Sequence, residues 1–126
     1  MGELATLAAP VAEADSIRSV MRPAGYRILV RLANPEKQDS KLEMPAEARE
    51  REWQAQVFGR VVELGPEAYK DKNRFPGGPW CKEGDTIVIR PYSGTRFMVR
   101  GNLYALINDD TVLSTVEGNP EEIERP

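Results

Sequence analysis

Few residues in this chain can do chemistry, and their types exclude more than they permit. Cys81 is the only cysteine among 126 residues, and histidine is absent. One thiol cannot close a disulfide within the chain, a usage that fits a reducing compartment. Without imidazole the usual structural zinc sites cannot be built. Ser–His and Cys–His nucleophile pairs fall for the same reason. Asp109-Asp110 offers a metal or acid–base pair. Neighbours on a strand point to opposite faces, however, and Asn108-Asp-Asp-Thr111 reads more simply as a turn. Cys81 beside Trp80 reads as a small buried hydrophobe. The expectation is a protein that is not an enzyme, with no metal and no cofactor.

Two basic–aromatic groups raise a different chemistry, base stacking. Tyr69, Phe75 and Trp80 lie among prolines and basic residues, and Arg90, Tyr92, Arg96, Phe97 and Arg100 form a second set. Aromatic faces beside cations suit single-stranded nucleic acid, and small barrels do bind it. The charge balance argues against that use. Seventeen Lys and Arg face twenty Asp and Glu, a net charge of −3, where nucleic-acid surfaces need a basic excess. Four of the carboxylates sit between Glu117 and Glu124, so the remainder is close to neutral. A locally packed loop is the simpler reading of the first group, and a share of the core that of the second.

The elements that must position these residues are short strands. Tyr26–Leu32, Val57–Leu64, Thr86–Arg90, Arg96–Val99, Leu103–Ile107 and Val112–Val116 are rich in strand formers and separated by turn signals. Gly84-Asp85 turns the chain into one strand, and Gly94 and Gly101 bracket one arm of a hairpin. About six antiparallel strands at this spacing predict an all-β barrel or sandwich. Hydrophobic content of 40% with 29% charge is ordinary for one globular domain. Residues 1–20 read as a flexible N-terminal extension, in which Val11–Val20 is too short to be a stable helix alone. Residues 34–56 form a long charged loop, residues 65–81 a turn-rich excursion, and 119–126 an acidic tail. Loops longer than about 15 residues are usually functional or disordered, so 34–56 is the prime suspect for a binding element. No run approaches the roughly 20 apolar residues of a membrane span, and Glu3 stands where a signal peptide would be basic. A soluble, cytoplasmic protein is expected.

From Met21 to Val116 the order of elements resembles the GroES-type co-chaperonins. The resemblance is carried by Met21-Arg-Pro23 before Arg27-Ile-Leu-Val-Arg31 and by Gly59-Arg-Val-Val-Glu-Leu-Gly65. It continues in Lys82-Glu-Gly-Asp-Thr-Ile-Val-Ile89, and in Tyr92-Ser-Gly-Thr95 through Gly101 and Tyr104 to Asp109-Asp-Thr-Val-Leu113. Each motif alone is weak; five in order are specific. The resemblance implies a small, partly open GroES-like β-barrel over residues 21–118, with 34–56 as its mobile loop and 65–81 in the place of its roof. It implies a homo-oligomeric ring, a heptamer, that caps a GroEL-type chaperonin ring holding ATP or ADP. A client protein would fold in the enclosed chamber, and hydrolysis would belong to the partner.

Residue by residue, the family's hydrophobic loop patch falls on Leu42, Glu43, Met44 and Pro45. In an extended chain Leu42 and Met44 project to one side and Glu43 to the other, so two apolar anchors can enter a groove. The family's glycine pair is missing here and its central hydrophobe is Glu43, which leaves open that Leu42 and Met44 pack back on the barrel. Ring closure in the family pairs one subunit's N-terminal strand with the next subunit's C-terminal strand. The matching residues are Met21, Arg22 and Pro23 on one side, and Val112, Leu113 and Val116 on the other. The extension, loop and roof resemble co-chaperonins encoded by bacteriophages, for which the compartment would be the host cytoplasm. Two other readings stand beside this one: a structural or assembly protein, for example of a phage particle, that keeps the barrel without binding chaperonin, and a nucleic-acid-binding barrel.

Overall fold

β1 (Arg27–Leu32) is the centre of the sheet, and five of its six residues are buried. A strand covered on one face alternates apolar and polar residues, whereas one covered on both can be apolar almost throughout. Ile28, Val30 and Leu32 enter the main core, and Leu29 enters a second cluster on the opposite face. The antiparallel neighbours are β2 (Phe58–Leu64) and β5 (Asn102–Asn108). With β3 (Thr86–Ile89), β4 (Thr95–Val99) and β6 (Val112–Thr115) they make one six-stranded sheet, ordered β4-β5-β1-β2-β3-β6. This computed structural model describes residues 16–33, 55–118 and 122–123. The expected strands are all present, with ends shifted by one residue at most. The all-β expectation holds, and the sheet is open: β4 and β6 are its two edges.

Inward-facing residues alternate along the strands. Val61 of β2, Ile87 and Ile89 of β3, and Leu103, Ala105 and Ile107 of β5 join the β1 residues in one core. Each Val, Leu or Ile among them contributes about 1.5–3 kcal/mol by leaving water. The β4–β5 hairpin turns on Arg100-Gly101, which lie at φ 52° and 81° between the paired Val99 and Asn102. Positive φ at both central residues matches the turn to the strand twist. A bulge interrupts β1–β2: Leu29 pairs with Glu63 and Val30 with Val61, so Val62 is skipped. A second bulge skips Leu113, between the Val88–Ser114 and Ile89–Val112 pairs. Bulges bend and twist a sheet, which helps six strands wrap around one core.

Residues 65–81 close over that core. Ala68, Tyr69, Phe75 and Cys81 are buried members of the main cluster. The Phe75 ring meets Tyr69 edge-on at 4.9 Å and Trp80 edge-on at 5.0 Å, while Trp80 keeps one side in solvent. Edge-to-face rings of this kind add about 0.5–1.5 kcal/mol beyond burial. Tyr69 sits at φ 61°, held by its backbone N–H donating to Asp109 Oδ2 at 3.0 Å. Asp109–Thr111 is a single 3-10 turn leading into β6, as the turn reading of Asn108–Thr111 expects.

The opposite face of the sheet is covered by a segment assigned from sequence to the extension. Ser16–Val20 forms one helical turn, and Ile17 is only 2% exposed against Leu29, Val62 and Tyr104. Residues 1–15 of that extension, residues 34–54 of the long loop and most of the acidic tail 119–126 lie outside the described residues.

Candidate functional site

The residues expected at a subunit interface fall on two separate features. Met21–Ala24 is a stretch without regular secondary structure between two turns: Met21 N–H donates to Ile17 O at 3.0 Å, and Arg27 N–H to Ala24 O at 3.1 Å. Met21 is half-buried in the second cluster and Pro23 is buried, while Arg22 is exposed with Nε on Glu63 Oε2 at 3.0 Å. Val112, Leu113 and Val116 lie on and beside β6, which among the described residues pairs with β3 alone. Val112 is buried, Val116 half-buried and Leu113 57% exposed. Within the chain no backbone hydrogen bond joins 21–25 to 112–116. Leu42, Glu43, Met44 and Pro45 lie outside the described residues.

The remaining chemistry-bearing side chains are committed to structure. Arg96 donates to the carbonyls of Gln56 at 2.6 Å, Ser93 at 3.0 Å and Arg90 at 3.3 Å. Burial pushes its guanidinium down to about 10, which still leaves it charged at neutral pH. Phe97 stacks on Tyr104 at 6.1 Å within the second cluster, and Arg100 donates to Ser16 Oγ. The second basic–aromatic group therefore ties loops together and leaves mainly Tyr92 as an open ring face. A cleft lined by Tyr26, Glu67, Lys70, Asp71, Arg74 and Asp109 mixes charges of both signs. At its floor Asp109 is buried, and its Oδ1 lies 4.0 Å from Arg74 Nη2. Among the described residues no three His, Cys, Asp or Glu side chains gather closely enough to hold a metal ion. Nor is any helix there long and apolar enough to cross a membrane.

Sequence reasoning missed the residues that fix the N-terminal segment. Arg18 donates through Nη2 to Val62 O at 2.8 Å and Glu83 Oε1 at 2.7 Å, and through Nε to Glu63 Oε1 at 3.2 Å. Val62 is the residue skipped by the bulge, so its carbonyl depends on a partner outside the ladder. A signal existed: Ile17 and Met21, four residues apart, share the side of the turn that packs on the sheet.

The described residues form a small, open, all-β sheet of six antiparallel strands with β4 and β6 at its edges. Residues 20–116 match the family model described as Chaperonin 10 Kd subunit. The co-chaperonin GroES of Clostridium beijerinckii is 33% identical over 98 residues, 77% of this chain and 98% of that protein. That of Corynebacterium diphtheriae is 34% identical over 98 residues, 77% of this chain and 94% of its own. The mitochondrial 10 kDa chaperonin of Arabidopsis thaliana is 33% identical over 96 residues, covering 75% and 91%. The chain belongs to the chaperonin-10 family, the GroES family that its motifs resemble.

Proposed function

We propose that this chain is a co-chaperonin subunit that assembles into a ring and caps a GroEL-type chaperonin in its ATP-bound state. The observation that carries the reading is the family match over residues 20–116, which includes both expected interface segments. The geometry supports it in one respect: among the described residues, β6 has a side without a strand partner. Met21, Arg22 and Pro23 of one copy would lie along Val112, Leu113 and Val116 of the next. Leu42 and Met44, flanked by Glu43 and Pro45, would be the anchors inserted into the chaperonin. One such loop is weak; a heptamer presents seven, and linked weak contacts gain avidity without new contacts. Action in the cytoplasm on an enclosed client, with no catalysis by this subunit, completes the reading.

The test is a chaperonin pull-down in ATP alongside electron microscopy of the purified protein. Wild type should form rings and be retained by chaperonin. Leu42→Asp should leave the rings intact and lower retention at least tenfold. Rings whose failure to bind chaperonin is indifferent to Leu42→Asp would sink the capping role and favour a structural assembly protein.

A further inference from the structure

The segment expected to reach a neighbouring subunit is not a loose arm. Met21–Ala24 is tied at both ends within its own subunit, by the turn Ser16–Met21 upstream and the turn Ala24–Arg27 downstream. The upstream tie has two parts. Ile17 is sunk among Leu29, Val62 and Tyr104, and the guanidinium groups of Arg18 and Arg22 grip the two oxygens of Glu63. Arg18 also satisfies the carbonyl that the β2 bulge takes out of the ladder.

What this tie presents is a short run of backbone without a ladder of its own. Among the described residues, the backbone N–H groups of Arg22 and Ala24 have no backbone partner. In an extended chain residues two apart aim their N–H groups the same way, so on pairing as a strand these donors would share one side. Pro23, which has no N–H, falls between them and costs that side nothing. Paired as a strand, the segment would offer those two donors to one edge of another sheet.

We propose that Ser16–Arg22 is an assembly anchor, which holds Met21–Ala24 as a preformed strand for the β6 edge of a second copy of this chain. The proposal rests on the ring reading above and adds a part to it. Ordering a flexible segment at the moment of association weakens binding, and ordering it beforehand removes that cost from the interface. Here the ordering is done by contacts inside the subunit. Residues upstream of Met21 therefore control subunit association without touching the neighbour.

Sedimentation velocity over a dilution series of the full chain tests this, with Ile17→Asp and Arg18→Ala compared with wild type. Near-ultraviolet circular dichroism and protection of the β1 amides report whether the sheet stays intact. We expect folded variants whose rings come apart at concentrations at least tenfold higher than wild type, since each subunit has two interfaces. The amides of Val20 and Met21, bonded to Ile17 O at 2.9 and 3.0 Å, should exchange faster in those variants than in dissociated wild type. Should Ile17→Asp fail to fold, Arg18→Ala, which leaves the apolar plug in place, gives the same readout. Folded variants that assemble at the wild-type concentration overturn the anchor while leaving the ring standing. A wild type that stays a single subunit at every concentration overturns the ring, and the anchor with it.

Discussion

Gly65 follows β2 where the chain passes under the turn before β1. A Cβ there would lie 2.4 Å from the Gly25 carbonyl oxygen and 2.7 Å from that of Arg27. The Gly65 N–H donates to the same Arg27 oxygen at 2.8 Å, so neither backbone can retreat without breaking a bond. Side chains relieve such crowding by changing rotamer, whereas backbone cannot. Gly65→Ala should therefore cost about 2–4 kcal/mol of stability, read as a lower urea midpoint with an unchanged slope. A midpoint equal to wild type would mean that the approach is looser than described. Arg18 makes the same point with the opposite sign: one long side chain joins the carbonyl of a bulge to two carboxylates.

The loop 65–81 behaves as an element because both its ends enter the core. Tyr69 Oη and Cys81 Sγ share a hydrogen bond at 3.5 Å. Burial pushes the Tyr69 hydroxyl far above its usual range, with Cys81 adding to the effect. Burial pushes the Cys81 thiol up as well, while its bond to Tyr69 pulls the other way. Both groups then keep their protons in the folded chain at pH values where the unfolded chain gives them up. Their contribution is full below the unfolded pKa values and falls as pH rises past them, from about pH 8.5 for the thiol and about pH 10 for the phenol. The thermal midpoint should drop on that alkaline limb, by about 1.4 kcal/mol of stability per pH unit for each group titrating. Cys81→Ala should delay the fall toward pH 10; an unchanged profile would contradict this account. The strands around this loop were legible because glycines and Asn-Asp turns punctuate runs of alternating apolar residues. The interior place of Tyr69 and Phe75 was partly legible, as a packed loop. The Ser16–Val20 turn was not, because a single helical turn has too few local bonds to be favoured and stands only through Leu29, Val62, Glu63 and Tyr104. Those partners lie 12 to 87 positions away in sequence. Of the expected site, Met21–Pro23 and Val112–Val116 are placed, and they prove to be an anchored flank and a half-paired edge.

At the scale of the whole molecule, the sheet ends in two unequal edges. β4 ends in a tight turn onto β5, while β6 carries Leu113 into solvent beside backbone groups that its own sheet does not use. Val116 N–H donates to Thr86 O at 2.8 Å, so Thr115 N–H points away from β3. In hydrogen exchange Thr115 should be fast in the dissociated subunit and slowed when copies assemble, with Val116 protected in both states. Equal rates for Thr115 in both would place the contact between copies elsewhere. The central position of β1 has a further consequence, which concerns synthesis. Its neighbours β2 and β5 end at residues 64 and 108, so the first strand made is completed by one of the last. Pairings so distant along the chain are slow to form, and chains emerge from the ribosome at about 5–20 residues per second. For several seconds the Ile-Leu-Val run of β1 has no second neighbour to hide it. A subunit proposed to help other chains fold passes through the same exposure at its own birth.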